Sequence, residues 1–222
     1  MDELRYIRKW TNKSYTLGEE IFNSVAHGVG ALLALVGSSV LLVFAGLSRD
    51  PWIIVACAIY GACLIVLYTM STLYHSFTHE KIKALFRIFD HCSVFLLIAG
   101  TYTPFTLVTL RGGAGWALFS VIWGTTVLGI ILNSVNLEKY KRFSLVCYLG
   151  MGWAVIFAIR PLIENMTANG LILLALGGMF YTVGVIFYKM KKLKYAHSIW
   201  HLFVLAGSIM HYFCILFYVA LG

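Results

Sequence analysis

Two histidines lie four residues apart in the segment His197-Ser-Ile-Trp-His201, near the C-terminal end of the chain. In a helix, this spacing places both imidazoles on one face and one turn apart, where they can share a metal ion. A second pair, Ser71 and His75, has the same spacing and puts a hydroxyl beside a third imidazole. Three neutral imidazoles with an open fourth position are a zinc arrangement associated with catalysis, because the ion lowers the pKa of a bound water to about 7.

The segment between the two histidines contains no glutamate, so the general base of an HExxH motif is missing. Asp90 is the carboxylate expected at the depth of the histidines, where it could deprotonate a water or bind the metal directly. Ser71 could donate a hydrogen bond to a developing oxyanion or to a water beside the metal. A simpler interpretation is that the histidine spacing arises by chance and that Asp90 caps the N-terminus of a helix.

The composition indicates what kind of molecule must position these side chains. Of the 222 residues, 60% are hydrophobic and only 12% are charged, whereas a soluble domain has about 25% charged residues. This composition excludes a water-soluble globular fold and a disordered chain. Two apolar runs, Ser24–Leu47 and Trp52–Tyr74, contain no acidic or basic side chain and are each long enough to cross a bilayer. We therefore expect an all-α integral membrane protein.

Seven apolar segments are candidate transmembrane spans. They are Ser24–Leu47, Trp52–Tyr74, His91–Leu110, Trp116–Val135, Phe143–Ile159, Gly170–Tyr188 and Ile199–Leu221. The connections between them are short and leave no room for a soluble domain. Because helices satisfy their own backbone groups in lipid, the sequence predicts one seven-helix bundle that occupies residues 1–222.

The distribution of basic residues predicts the orientation of this bundle. If the N-terminus is cytoplasmic, the N-terminal segment and the three inner loops contain four, three, three and four of the 17 basic residues, and only three lie outside. This is a strong positive-inside pattern, and it places the C-terminus outside. It also accounts for the net charge of +8 without nucleic acid as a partner. We expect the protein to lie in the cell membrane and to cross it several times.

This topology places polar residues from three spans in the cytoplasmic leaflet, namely His75, Asp90, His197 and His201. His27 lies near the inner end of the first span and could belong to the same layer. His211 lies roughly 15 Å deeper than His201, because ten helical residues separate them, and we expect it to be a packing residue. We assign His79 and His91 to the membrane interface.

Four segments of the chain resemble the hemolysin III family, the bacterial branch of the progestin and adipoQ receptors. They are Glu20–Gly28, Ser71–Ser76, Phe89–Ser93 with Ala99–Pro104, and His197–His201. The resemblance implies a zinc ion near the cytoplasmic leaflet, with His75, His197 and His201 as its ligands. It also implies that Asp90 acts through a zinc-bound water and that Ser71 is the motif serine. Because the wider superfamily includes alkaline ceramidases, it implies hydrolysis of a lipid amide.

These observations lead to one main functional hypothesis and two alternatives. The main hypothesis is a zinc-dependent intramembrane hydrolase that acts on an amide or ester bond of a membrane lipid and releases a fatty acid. The first alternative is a non-catalytic receptor or regulator, in which zinc only joins helices and Asp90 completes the ligand set. The second is a membrane-permeabilising protein, which the family's name suggests.

Overall fold

The computed structural model describes residues 15–190 and 192–222, and the regular structure of this part is entirely helical. Its α-helices, in chain order, are α1 Leu17–Ser48, α2 Pro51–Ser76, α3 Glu80–Pro104, α4 Gly113–Trp153, α5 Ile159–Asn165, α6 Ala168–Lys189 and α7 Ala196–Ile215. Two π-helical turns, Phe105–Thr109 and Leu216–Ala220, continue α3 and α7, and a 3₁₀ turn, Ala154–Ala158, joins α4 to α5. The predicted all-α fold class is therefore confirmed.

The outer surface of the bundle is apolar. Large side chains such as Leu32, Val36 and Phe157 are exposed, whereas polar side chains such as Asn23 and Thr103 are completely buried. This distribution is the reverse of that in a water-soluble protein, and it fits a surface that faces lipid. The chain is thus an integral membrane protein.

Five helical segments of the described chain are long and apolar enough to cross a membrane, against the seven predicted from the sequence. These five segments are Leu17–Ser48, Pro51–Ser76, Gly113–Asn165, Ala168–Lys189 and Ala196–Ala220. The difference has two sources. The third predicted span lies in α3, which is not among the five, and the fourth and fifth predicted spans lie within one continuous segment, Gly113–Asn165.

That 53-residue segment reverses its direction at Asn136. The backbone of Asn136 is non-helical, with φ of −159° and ψ of 89°. The hydroxyl of Ser144 donates to Oδ1 of Asn133 at 2.7 Å, although eleven residues of continuous helix would separate the two positions by roughly 16 Å. Residues 113–135 and residues 137–153 are therefore two helical segments, and the second folds back toward the first.

Helix α3 begins eleven residues earlier than the predicted third span. Its first turns are stabilised by two ion pairs, in which Lys83 contacts Glu20 and Arg87 contacts Glu138. Because of these charges, the N-terminal part of α3 is not apolar enough to count as a membrane-spanning segment. The helix nevertheless continues through the charged residues. Asp90 consequently lies in the interior of α3, and the interpretation of Asp90 as an N-cap is wrong.

The ends of α1 and α2 are fixed by caps. Thr16 and Glu19 form a capping box at the start of α1, with Glu19 Oε2 accepting from the Thr16 backbone N–H at 2.8 Å. At the start of α2, the Asp50 carboxylate accepts from the backbone N–H of Trp52 at 2.8 Å. This hydrogen bond, together with the Arg111 guanidinium, lowers the pKa of Asp50 from its ordinary value.

Neighbouring helices of the bundle pack closely against one another. α1 packs along α2, α2 along α3, and α6 along α7. At Gly30 in α1, a Cβ atom would lie 2.6 Å from the ring of Tyr68 in α2, so a larger residue would force these helices apart. This approach brings the beginning of α1 next to the end of α2, where His75 lies.

Candidate metal centre

Three histidines that were predicted as metal ligands lie together at one end of the bundle. His75 is the next-to-last residue of α2, and His197 and His201 lie in the first turns of α7. One ring nitrogen of each lies within 4.8 Å of the other two, and all three residues are buried. Two sequence motifs separated by more than 100 residues thus converge on one point.

The geometry of this His75–His197–His201 cluster fits a shared metal ion. The Nε2 atoms of His197 and His201 are 3.0 Å apart, close to the roughly 3.3 Å between two nitrogens bound to one tetrahedral zinc. Nε2 of His75 is buried and has no hydrogen-bond partner among the described residues. Such a nitrogen is costly unless it binds a ligand. Imidazoles suit zinc but also copper, iron and nickel, so the donor set does not by itself select zinc.

The second ring nitrogen of His75 faces the beginning of α1. Nδ1 of His75 lies 2.6 Å from Oε2 of Glu20, and the other carboxylate oxygen of Glu20 lies 3.0 Å from Nζ of Lys83. Sequence reasoning did not find Glu20 or Lys83 as site residues. One signal was available for Glu20, because it precedes His27 by two helical turns and therefore shares its face of α1.

Two further aromatic rings enclose the cluster. The Tyr15 ring stacks on His197, with the ring centroids 4.8 Å apart, and burial raises the pKa of its phenol, which keeps it neutral. On the other side, the His27 ring stacks on His201 with a centroid distance of 3.6 Å. His27 is 2% exposed, and neither of its ring nitrogens has a hydrogen-bond partner among the described residues. His27 therefore lies in the same layer as the histidine cluster, one of the positions that its place in the first span allowed.

Asp90 and Ser71 lie beside the cluster but outside its group of ligand atoms. Asp90 is 5% exposed, and its Oδ2 lies 3.5 Å from Nδ1 of His91. The Ser71 hydroxyl is close to the Asp90 carboxylate, and it is buried without a well-formed hydrogen bond in the described structure. The carboxylate of Asp90 is not within the 4.8 Å group. Asp90 and Ser71 are therefore neighbours of the histidine cluster and not members of it.

An apolar cavity of about 150 Å³ opens beside the histidines. His27, Asp90 and His197 are among its lining residues, and its wall consists mainly of apolar side chains, among them Val94, Ile98, Leu145, Leu149, Val185 and Val204. His211 also lines the cavity, and its Nε2 donates to the backbone oxygen of Leu174 at 3.1 Å, in agreement with the predicted packing role. A mainly apolar cavity with a few polar side chains in its lining suits an amphiphile.

Comparisons with known proteins agree on the family. A family model described as haemolysin-III related matches residues 15–212. Hemolysin-3 of Bacillus cereus is 46% identical over 211 residues, which cover 95% of this chain and 96% of that protein. The hemolysin-3 homolog of Bacillus subtilis strain 168 is 43% identical over 204 residues, with coverages of 92% and 96%. The human monocyte to macrophage differentiation factor is 32% identical over 206 residues, with coverages of 90% and 84%.

Proposed function

The chain belongs to the haemolysin-III-related family and is a multi-pass cell-membrane protein, and from this premise we propose that it is a zinc-dependent intramembrane hydrolase. Its substrate would be a membrane lipid with an amide or ester bond. The observation that carries the proposal is the opening of the apolar cavity beside the buried His75–His197–His201 cluster. A lipid carbonyl beside His197 and Asp90, which line that cavity, would lie next to the ion, with its acyl chain along the apolar wall.

The proposed topology has seven spans, a cytoplasmic N-terminus and an external C-terminus. The reversal at Asn136 supports two separate crossings within Gly113–Asn165. Helix α3 has 25 residues and is therefore roughly 37 Å long, which is enough to cross the hydrocarbon core. Together with the excess of basic residues on one side, this topology puts the histidine cluster in the cytoplasmic leaflet.

Each residue of the site has a role in the proposed hydrolysis. His75, His197 and His201 would hold the zinc, which when bound supplies Lewis acidity and an activated water. Asp90 would take a proton from the attacking water and return it to the departing nitrogen or oxygen. Ser71 would donate a hydrogen bond to the carbonyl oxygen as its negative charge develops. The water oxygen joins the acyl carbon and the C–N or C–O bond breaks, which releases a fatty acid.

The test is fatty-acid release from a panel of ceramides and phospholipids by the purified, zinc-loaded protein. We expect release from at least one lipid, with a loss of about 10²–10⁴-fold in kcat in Asp90→Asn because the proton acceptor is removed. Asp50→Asn is the matched control, since this half-buried aspartate lies in the connection between α1 and α2 and asparagine can also cap α2. Zinc-dependent release that Asp90→Asn leaves unchanged would eliminate the proposed base, and the absence of release from every lipid would eliminate the hydrolase.

A non-catalytic receptor or regulator is the second candidate. The three histidines come from α2 and α7, which are distant in sequence. An ion bound to all three would therefore join these two helices, which favours a structural role for the metal. In that case a chelator would lower the unfolding temperature of the protein, and no lipid in the panel would be cleaved.

A further inference from the structure

Glu20 forms a bridge between His75 and Lys83. One carboxylate oxygen, Oε2, lies 2.6 Å from Nδ1 of His75, and the other, Oε1, lies 3.0 Å from Nζ of Lys83. We propose that Glu20 is a positioning residue of the metal centre, which fixes the ring of His75 so that its Nε2 atom points at the ion. The inference rests on the proposed metal site and adds to it a residue that contacts no metal.

The chemistry of the contact defines what Glu20 does. A carboxylate only accepts hydrogen bonds, so the proton shared with Glu20 lies on Nδ1 of His75. Nε2 is then the nitrogen with a free lone pair, and it is the nitrogen without a hydrogen-bond partner in the described structure. The same hydrogen bond stops the ring from turning about its χ2 torsion. An imidazole with its tautomer and its orientation fixed in advance binds a metal more tightly than a free one.

Lys83 holds the carboxylate in this position. Its ammonium group contacts Glu20 and also donates to the backbone oxygens of Tyr74 and Phe77, at 3.1 Å and 3.2 Å. These carbonyls belong to the end of α2, where the partial negative charge of the helix favours a cation. The lysine is therefore anchored next to His75 by α2 itself, and it leaves Glu20 little freedom.

The beginning of α1 is built to deliver Glu20 to this point. The capping box of Thr16 and Glu19 starts the helix one turn before Glu20, and Oε1 of Glu19 accepts from the backbone N–H of Tyr195 at 2.9 Å. Tyr195 immediately precedes α7, which carries His197 and His201. Two adjacent glutamates of α1 thus contact both parts of the proposed metal site. Glu20 contacts the side chain of His75 in α2, and Glu19 contacts the backbone directly before α7.

The experiment compares the zinc affinity of purified wild type, Glu20→Ala and Glu20→Gln by competition with a chromogenic chelator. We expect a dissociation constant about 10–100-fold weaker for Glu20→Ala, the range found when a hydrogen-bonding partner of a ligand histidine is removed. Glu20→Gln keeps an oxygen acceptor but loses the ion pair with Lys83, so its affinity should lie between the other two. With Co²⁺ in place of zinc, the visible absorption spectrum of Glu20→Ala should change because the ring orientation changes.

Glu80→Ala is the matched control, since Glu80 is an exposed glutamate in the first turn of α3. Its zinc affinity should stay within about twofold of wild type. Wild-type affinity and an unchanged Co²⁺ spectrum in both Glu20 variants would overturn the inference, even if their metal-free unfolding temperatures fell, and would leave the proposed metal site intact. Failure of the wild type to bind zinc would overturn the metal site first. If Glu20→Ala does not fold, the zinc affinity and the Co²⁺ spectrum of Glu20→Gln alone decide whether Glu20 positions His75.

Discussion

At the scale of single residues, His201 is the most deeply buried of the three clustered histidines. Its side chain is completely buried, and its ring packs between those of His27 and His197. Zinc at about 100 times its dissociation constant stabilises a folded protein by about 2.7 kcal/mol if the unfolded chain does not bind it. We expect zinc to raise the unfolding temperature of the wild type and to have no effect on His201→Ala, as measured by thermal unfolding in detergent with and without zinc.

His79→Ala is the control for this experiment. His79 is exposed and precedes α3 without a side-chain hydrogen bond to the helix. It should therefore keep the full zinc-induced rise in unfolding temperature. A rise of wild-type size in His201→Ala would show that this histidine is not a ligand.

The clustering of the three histidines could be predicted from sequence, whereas the contacts around them could not. His197 and His201 share a helix face through their spacing alone, and the topology brings His75 to the same depth. The contact between Glu20 and His75 depends instead on how closely α1 approaches α2, which is set by tertiary packing such as that of Gly30 against Tyr68. The spacing between Glu20 and His27 indicates the face of α1 on which Glu20 lies, but it does not give the distance from that face to His75 in α2.

At the scale of elements, two adjacent glycines of α6 provide a matched pair. A Cβ atom at Gly177 would lie 2.1 Å from the ring of His211 in α7, whereas a Cβ atom at Gly178 would meet nothing within 4 Å. We expect Gly177→Ala to lower the free energy of unfolding by about 1–3 kcal/mol, because the two helices would have to separate. The measurement is thermal or denaturant unfolding in detergent or bicelles.

Gly178→Ala should leave stability unchanged or raise it slightly, since alanine is the better helix former. Equal effects of the two substitutions would mean that α6 and α7 do not pack at Gly177 as described.

Element boundaries were the less predictable part of the fold. Hydropathy located the apolar centres of the helices, because lipid-facing residues must be apolar over a fixed length. It missed the beginning of α3, where Lys83 and Arg87 are paired with glutamates of other helices and so do not end the helix. It also did not predict that a single non-helical residue, Asn136, would redirect the chain between the fourth and fifth spans.

At the scale of the whole molecule, the proposed orientation can be tested by cysteine labelling. Arg111→Cys and Lys139→Cys would be made in a background from which the five native cysteines have been removed, since both positions are exposed. A membrane-impermeant maleimide added to intact cells should label the cysteine at position 111, which lies outside in the proposed topology. The cysteine at position 139 should react only after permeabilisation. The opposite pattern would invert the proposed topology and place the histidine cluster in the outer leaflet.

The bridge of Glu20, His75 and Lys83 is made entirely from the first 83 residues, whereas His197 and His201 follow about 120 residues after His75. At a synthesis rate of about 5–20 residues per second, the ribosome needs roughly 6–24 s to cover that distance. During biogenesis, therefore, His75 can be oriented by its partners well before the last helix exists. The proposed metal site needs all three histidines and is therefore complete only when α7 has entered the membrane, which would make metal acquisition a late step in the maturation of the protein.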